Sequence, residues 1–399
     1  MSIIGTLGTA HARVSGTSPL SAWRAATYEI ADLLGVPQAA WADLCRRAIE
    51  PNPYFHPGWA RAGARHAEGK TGGKVLLAWD SAARTRLIGL LPVVSAWRAL
   101  RIPIPVLVAW QAYAPLTTPL LDRDMADNAA RGLIKAAAKA GAHAVLLPLL
   151  AEEGPAALAL RAAAADFKLA PYSYGRHQRA RLDATQDADT AIGSLGSKKL
   201  KELRRQRNRL ADNGDVVFKV AAPGDETDAA LDAFLLLEAA GWKGASGTAL
   251  AAKAGDALFI KIAIRDMAST GAAEMATLSS GGTVVAAGML LKHLRRGYFA
   301  KVAYDESAAK MSPGVQLTLD VTRHFCADAG LDDADSTAVA DHPMIDHVWR
   351  SRLAVCDLLV PTQAGRFPLA VLAAAIGARH VLRNAARTIY HRIRSLKGK

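Results

Sequence analysis

The feature that most constrains this chain is an order of elements it runs through twice. In the first half, Lys74 to Trp79 and Leu87 to Val94 are apolar, β-prone runs with a short polar turn between them, the pattern of a hairpin. Val106 to Trp110 reads as a further strand. A Pro-rich loop leads from it into a helix near Asp124 to Ala140, a strand at His143 to Leu150 and a helix to about Phe167. In the second half, Lys198 to Asn213 reads as a helix, Val216 to Val220 as a strand and Glu226 to Ala240 as a helix. Leu231, Phe234 and Leu235 give that last helix the i, i+3, i+4 stripe of a buried face. A helix at Ala252 to Ser269 precedes a hairpin, Glu274–Leu278 and Val284–Leu291, around Gly281-Gly282. A strand at Tyr298 to Tyr304, a polar loop and a helix at Pro313 to Ala329 complete the order. Hairpin, strand, loop, helix, strand therefore occurs in both halves, and Val108-Ala-Trp110 echoes Val302-Ala-Tyr304 at the same place in it. Such self-similarity points to an internal duplication, and strands alternating with helices point to a mixed α/β fold.

Length supports two units: 399 residues exceed one ordinary domain. The expected division is a flexible N-terminus over 1–20, a first unit over 21–182, a second over 183–362 and a basic amphipathic helix over 363–399. Within the first unit, Ser21 to Ala48 reads as helical with a break at Gly35-Val36-Pro37. Cys45, Cys326 and Cys356 lie far apart, with no CxxC and no histidine at metal spacing. This argues against a disulfide framework or structural zinc and for a reducing compartment.

Met1 to Leu20 lacks the basic start and apolar core of a signal peptide, and Phe367 to Ile376 is too short to span a bilayer before it meets Arg379. The net charge of +13 is concentrated in two places. Lys198 to Arg209 holds seven basic residues and Glu202. Pro361 to Lys399 holds eight and no acid. The helical segment aligns Lys198, Lys201, Arg205 and Arg209 on one face, which suits phosphates. No aromatic residue lies between the charges, so no platform for stacking bases is visible. An apolar start followed by a basic helix makes the tail a candidate for contact with anionic lipid, the alternative being a terminal helix docked on the second unit. The expectation is a cytoplasmic protein able to sit at the inner face of the membrane.

Five fragments then carry a family resemblance: Asn52-Pro-Tyr-Phe-His-Pro-Gly-Trp59, Glu238-Ala-Ala-Gly-Trp-Lys-Gly244, Lys301-Val-Ala-Tyr-Asp-Glu306, Ser312-Pro-Gly314 and Asp341-His-Pro-Met-Ile-Asp-His-Val-Trp349. In this order they resemble the GNAT acetyltransferases of the bacterial cellulose-biosynthesis (CelD/BcsL) type, relatives of the Fem peptidoglycan aminoacyltransferases. The resemblance spans most of residues 40 to 360. It implies tandem GNAT-like domains, each a mixed twisted sheet flanked by helices, with the donor and the chemistry in the second and the acceptor beside the first. It also implies direct acyl transfer, with acyl-CoA (acetyl-CoA) as donor and no metal, to an amine or hydroxyl of an envelope polysaccharide, nucleotide sugar or glycolipid precursor.

The residues themselves suggest where that chemistry would sit. Serine before proline marks a helix start, and free amides at a helix start suit a phosphate. Ser312, Pro313, Gly314 and Val315 are therefore the candidate donor-phosphate loop. It departs from the family's Arg/Gln-x-x-Gly-x-Gly/Ala by keeping one glycine. Lys301 is a candidate to stabilise negative charge, and Tyr304 to protonate a leaving thiolate. Strand alternation puts them on opposite faces. His342, oriented by Asp341 and held extended by Pro343, is the candidate base. Trp242 and Lys243, between two glycines, form a candidate binding loop, and Asp305 and Trp349 complete the expected substrate contacts. P-loop, HExxH, GxSxG, Rossmann and zinc-deaminase signatures are absent. Two other readings stay open: a transferase taking its aminoacyl group from tRNA, and a non-catalytic scaffold at the membrane.

Overall fold

The computed structural model describes residues 26–362 and 369–378. The first run of elements is β1 (Thr27–Asp32), α1 (Gln38–Arg47), α2 (Pro57–His66), β2 (Lys74–Trp79), β3 (Leu87–Ser95), α3 (Ala96–Leu100), β4 (Val106–Ala109), β5 (Leu120–Leu121), α4 (Ala126–Lys139), β6 (Ala144–Ala151), α5 (Pro155–Asp166) and β7 (Tyr172–Asp183). After α6 (Ala188–Gly193) and α7 (Ser197–Ala211) the order returns. It runs through β8 (Val216–Val220), α8 (Asp225–Ala240), α9 (Trp242–Ala245), α10 (Ala254–Ala268), β9 (Ala273–Ser280), β10 (Thr283–His293), β11 (Arg296–Tyr304), α11 (Pro313–Ala327), β12 (Asp333–Asp335), α12 (Ile345–Val348) and β13 (Ser351–Pro361).

All strands join one mixed sheet in the order β1-β2-β3-β4-β6-β13-β7-β12-β11-β10-β9-β8, with β5 beside β3. Only β4–β6 and β11–β12 run parallel, and every other pairing is antiparallel. The centre of the sheet is reciprocal. β7, which closes the first run, pairs with β12 of the second, and β13, which closes the second, pairs with β6 of the first. β7 and β13 also pair with each other. The sheet therefore does not divide between 182 and 183, where the chain was expected to divide, because each half donates its last strand to the other.

The expected helix over Ser21 to Ala48 is corrected in part. Thr27–Asp32 is an edge strand on β2, Leu33–Gly35 is a single 3-10 turn, and after the expected break at Val36-Pro37 the α-helix begins at Gln38. Thr27, Tyr28 and Ile30 suit a pleated, half-buried surface, and pairing with Lys74–Trp79 decides the outcome. Asp32 ends the strand by accepting the Leu34 amide at 3.0 Å.

The fragment Asn52–Trp59 seals the two halves together. The Asn52 amide donates to His293 Nδ1 at 2.7 Å, and the other ring nitrogen of His293 lies 2.9 Å from Cys45 O. Tyr298 donates its hydroxyl to Pro51 O at 2.9 Å. Tyr54 and Trp59 from the first half pack into one core with Phe234, Phe259, Met267 and Met289 from the second. Trp59 meets both Tyr54 and Phe259 edge to face, at centroid distances of 5.1 and 5.2 Å. Gly58 lets α2 approach α10 closely: a Cβ there would crowd the Asp266 carboxylate and lie 3.1 Å from Met267 Cγ. Beneath this core, Arg296 grips Asp333 through two bonds of 2.6 and 2.8 Å, Arg181 reaches the same carboxylate, and Arg179 pairs with buried Asp335.

The 1–20 segment lies outside the described residues, as does most of the basic tail from 363 onward. Its described part, 369–378, is helical. Leu372, Ala373 and Ile376 pack against β4 and β6 of the first half and β13 of the second. Among the described residues no helix is long and apolar enough to cross a membrane, and no cluster of candidate metal ligands occurs.

Candidate functional site

The site begins where a parallel pair comes apart. β11 and β12 hold register only over Arg296↔Asp333, Gly297↔Ala334 and Tyr298↔Asp335. β11 continues to Tyr304, whereas its neighbour turns away at Thr337 (φ 53°), tied by a 2.9 Å bond from the Thr337 hydroxyl to Phe299 O. On its other side β11 stays paired with β10, and the Asp305 amide bonds Val285 O at 2.9 Å. Antiparallel bonds alternate along a strand, so the main-chain groups of Val302 and Tyr304 face the gap instead. The sheet thus opens a strand edge carrying unpaired backbone donors and acceptors.

Side chains of β11 furnish both faces of this opening. Lys301 points to α8 and lies 3.4 Å from Glu238. The Glu238 carboxylate is almost wholly buried, and it also accepts from Lys243 at 3.0 Å and from the Leu250 amide at 2.8 Å. Burial pushes the Glu238 pKa up, but Lys301, the Leu250 amide and Lys243 outweigh it and hold the carboxyl below its ordinary value. For Lys301, burial lowers the pKa and Glu238 only partly restores it. Tyr304 faces the opposite way, toward α11. A Cβ on Gly314 would lie 3.1 Å from its ring and 3.4 Å from Met344 Sδ. Lys301 and Tyr304 therefore stand on opposite faces of β11.

The loop before α11 differs from the expected one. Residues Glu306–Met311 form a 3-10 turn that Asp305 starts by accepting the Ser307 amide at 2.8 Å. Ser312 is left-handed (φ 52°) and its side chain makes no capping bond; instead its carbonyl accepts from Val315 and Gln316 at 2.9 and 3.0 Å. Gly314 is left as the first-turn amide without a partner among the described residues. What approaches Gly314 in this structure is the Tyr304 ring and Met344. No acidic residue lies in the first turn of α11, and the basic helix α7 packs beside the 306–311 turn. Lys198, Lys199, Lys201 and Arg204 of that helix have no ion pair among the described residues, whereas Arg205 pairs with Glu202 and Arg207 with Asp320.

His342 sits near Tyr304 through Met344, whose amide donates to His342 Nδ1 at 3.3 Å. Burial lowers the His342 pKa, and the carboxylate that opposes this is Asp346. Asp341 was expected to orient His342. It is exposed and left-handed (φ 55°), and it makes no bond to His342. Trp349, an expected substrate contact, is buried in the core and donates to Thr322 Oγ1 at 2.9 Å. Trp242 is largely exposed beside the opening, held by its amide to Glu306 at 2.8 Å, and the Lys243 ammonium lies 5.9 Å from its ring centroid.

Glu238 is the residue to which sequence reasoning gave no role. It falls seven positions after Leu231, on the buried stripe of α8, and a carboxylate on an apolar stripe needs a partner. Nearby, Tyr113 bonds Asp256 across the halves and stacks on Phe259.

With this geometry in place, comparison with known proteins gives the class. Residues 197–342 match the family model described as an acetyltransferase (GNAT) domain. The match makes the chain an acyltransferase, and every candidate residue but Trp349 falls inside it. No curated protein sequence matches the chain at a significant level. Two solved structures share its fold along most of their length. The C-terminal domain of a candidate lysylphosphatidylglycerol synthetase from Agrobacterium fabrum aligns at TM-score 0.53 and 16% identity, covering 82% of this chain and 92% of that one. FemX aligns at TM-score 0.50 and 9% identity, covering 84% and 97%. At these identities the likeness is one of fold.

Proposed function

We propose that the chain transfers an acyl group from acyl-CoA, acetyl-CoA in the simplest case, to an amine or hydroxyl of a polar cell-envelope precursor: a polysaccharide, nucleotide sugar or glycolipid intermediate of the kind the CelD/BcsL resemblance suggests. The observation that carries this reading is the opened edge of β11. Val302 and Tyr304 turn their main-chain groups into the gap, so an extended amide-bearing thioester arm can add there as a short strand. The donor phosphates then fall toward Ser312, Pro313, Gly314 and Val315, where the Gly314 amide is unpartnered and the first turn of α11 holds no acid. Asp305 fixes the turn leading into that helix.

Transfer is direct. The acceptor nucleophile attacks the thioester carbonyl, the C–N or C–O bond forms, and the sulfur leaves as thiolate. His342 takes the acceptor's proton. Because Nδ1 now accepts the Met344 amide at 3.3 Å, the neutral ring carries its proton on Nε2, and substrate entry must break that long contact to free a basic nitrogen. Tyr304 gives its hydroxyl proton to the thiolate. Lys301, held by Glu238, stabilises the negative charge on its face of β11, and Trp242 with Lys243 borders the acceptor's entry. A His342→Ala variant with full turnover on the true acceptor removes the base assignment.

A second reading is favoured by one observation. The unpaired cations of α7 lie beside the turn that leads into α11, a surface fit for a larger polyanionic donor such as an aminoacylated tRNA. A donor trial separates the two: transfer from acyl-CoA without RNA supports the first, and transfer abolished by ribonuclease supports the second.

A further inference from the structure

The first half repeats the opening of the second, at a place to which no role has been given. β4 and β6 run parallel over Val106↔Ala144, Leu107↔Val145 and Val108↔Leu146, and then separate. On its other side β4 is bonded to β3, and the Trp110 amide reaches Pro92 O at 2.8 Å. By alternation the main-chain groups of Ala109 face the gap. The gap holds a cleft of about 340 Å³, a size usual for small-ligand sites.

Three features show that this cleft is built. Leu149 at its floor is left-handed (φ 55°), an uncommon state for a bulky residue, and its amide is caught by Asp357 at 3.0 Å, where β13 bulges. Backbone held in such a state marks a place where the surroundings enforce a shape. The rim loop at 69–72 is tied down by side chains of the cleft itself: Trp110 Nε1 donates to Lys70 O at 3.0 Å, and Arg98 donates to the carbonyls of Thr71 and Gly72. This fixes the backbone of Lys70, whose ammonium has no ion pair among the described residues, at the mouth. Behind it, Val94, Ala99 and Leu100 make a half-buried apolar wall, backed by Val108 and Leu146, on which Leu372, Ala373 and Ile376 also pack.

The same half rejects polyphosphate. At the start of α4, the counterpart of α11, Asp122 is fully buried and held by Arg47 and Arg86, Asp124 bonds Arg86 at 2.8 Å, and Asp127 lies in the first turn. Three carboxylates at this helix start disfavour a polyanion there. From the juxtaposition of a cationic rim and an apolar wall, we infer that the β4–β6 cleft binds an amphiphilic anion: an apolar arm against Val94 and Leu100 with one phosphate monoester or carboxylate at Lys70 and Arg98, and no nucleotide.

The test is calorimetric titration of the full chain with decyl phosphate and with decanoate, each below its micelle concentration, and with decyltrimethylammonium as the cationic control. Both anions are expected to bind with one site per chain, the cation not, and the tighter of the two anions identifies the headgroup source. Lys70→Glu, a change at an exposed side chain, is expected to weaken both anions by about tenfold or more. Ala99→Trp, which fills the cleft, should abolish binding, while Gly314→Val in the second half should leave it intact, as should saturating acetyl-CoA. Absence of heat with both anions, equal binding by wild type and Lys70→Glu, or displacement by acetyl-CoA overturns the inference. None of these readouts involves turnover, so failure here is separable from failure of the acyltransfer reading.

Discussion

The two halves open their sheets in the same way, each after three paired residues of a parallel pair, yet they surround the openings with opposite chemistry. In the second half the helix that follows the opened strand starts without acids and lies beside a basic helix, and on the other face of β11 a buried Glu238 holds two lysines. In the first half the corresponding helix starts among Asp122, Asp124 and Asp127, and the loop after β4 is spent on the interface, where Tyr113 bonds Asp256. A duplicated backbone thus supplies two openings that differ in the charges around them. The exchanged strands β7 and β13 keep both clefts in one sheet.

The largest effect should come from the charge cluster that only the second half has. Glu238→Ala leaves Lys301, Lys243 and the Leu250 amide without their shared acceptor. It is expected to cost about 3–5 kcal/mol in urea unfolding and to abolish transfer, as removal of one member of a buried ion cluster does. Wild-type stability in that variant would show that the cluster does not matter to the second half.

Acid should act next, on the contact between the halves. His293 is buried, with its pKa lowered to about 4 chiefly by burial, and its unprotonated Nδ1 accepts the Asn52 amide. The unfolded chain takes up this proton near the ordinary histidine value, so the folded-state advantage is complete above about pH 6.5 and is lost as the pH falls from there toward 4, amounting to about 3 kcal/mol. Stability measured against pH in wild type and His293→Asn checks it: the variant should lack this part of the acid slope, and identical slopes contradict the assignment.

Gly314→Val sharpens the comparison at the helix start. The new side chain crowds Tyr304 and Met344 and covers the free amide, so the donor KM should rise by about tenfold while stability falls by about 1 kcal/mol. An unchanged donor KM would place the phosphates elsewhere. The smallest effect belongs to Asp341→Asn. The carboxylate is exposed and does not touch His342, so turnover should change by less than about twofold. A large loss would restore Asp341 as the partner of the histidine.

These cases also show what the sequence made legible. The hairpin β9–β10 around Gly281-Gly282 and the buried stripe of α8 could be read because turn chemistry and periodicity are local. β7 could not. Its residues Tyr172–Asp183 include Arg176, Arg179 and Arg181, and the acids that neutralise the last two, Asp335 and Asp333, lie far away in sequence. Adjacency misled at Asp341-His342, because a left-handed residue turns the carboxylate away, and at Ser312, whose left-handed backbone removes its side chain from the cap. Glu238 had a readable signal, a carboxylate on an apolar stripe, but its partner Lys301 comes from a strand that only the folded sheet brings near.

The central claim is that one opening, the second, takes the acyl donor. Titration of acetyl-CoA into the wild-type chain and into Gly314→Val and Lys70→Glu tests it directly. The account predicts one mole bound per mole of chain, weakened by Gly314→Val and untouched by Lys70→Glu. Binding of two moles, or binding that is lost with Lys70→Glu and kept with Gly314→Val, would contradict it.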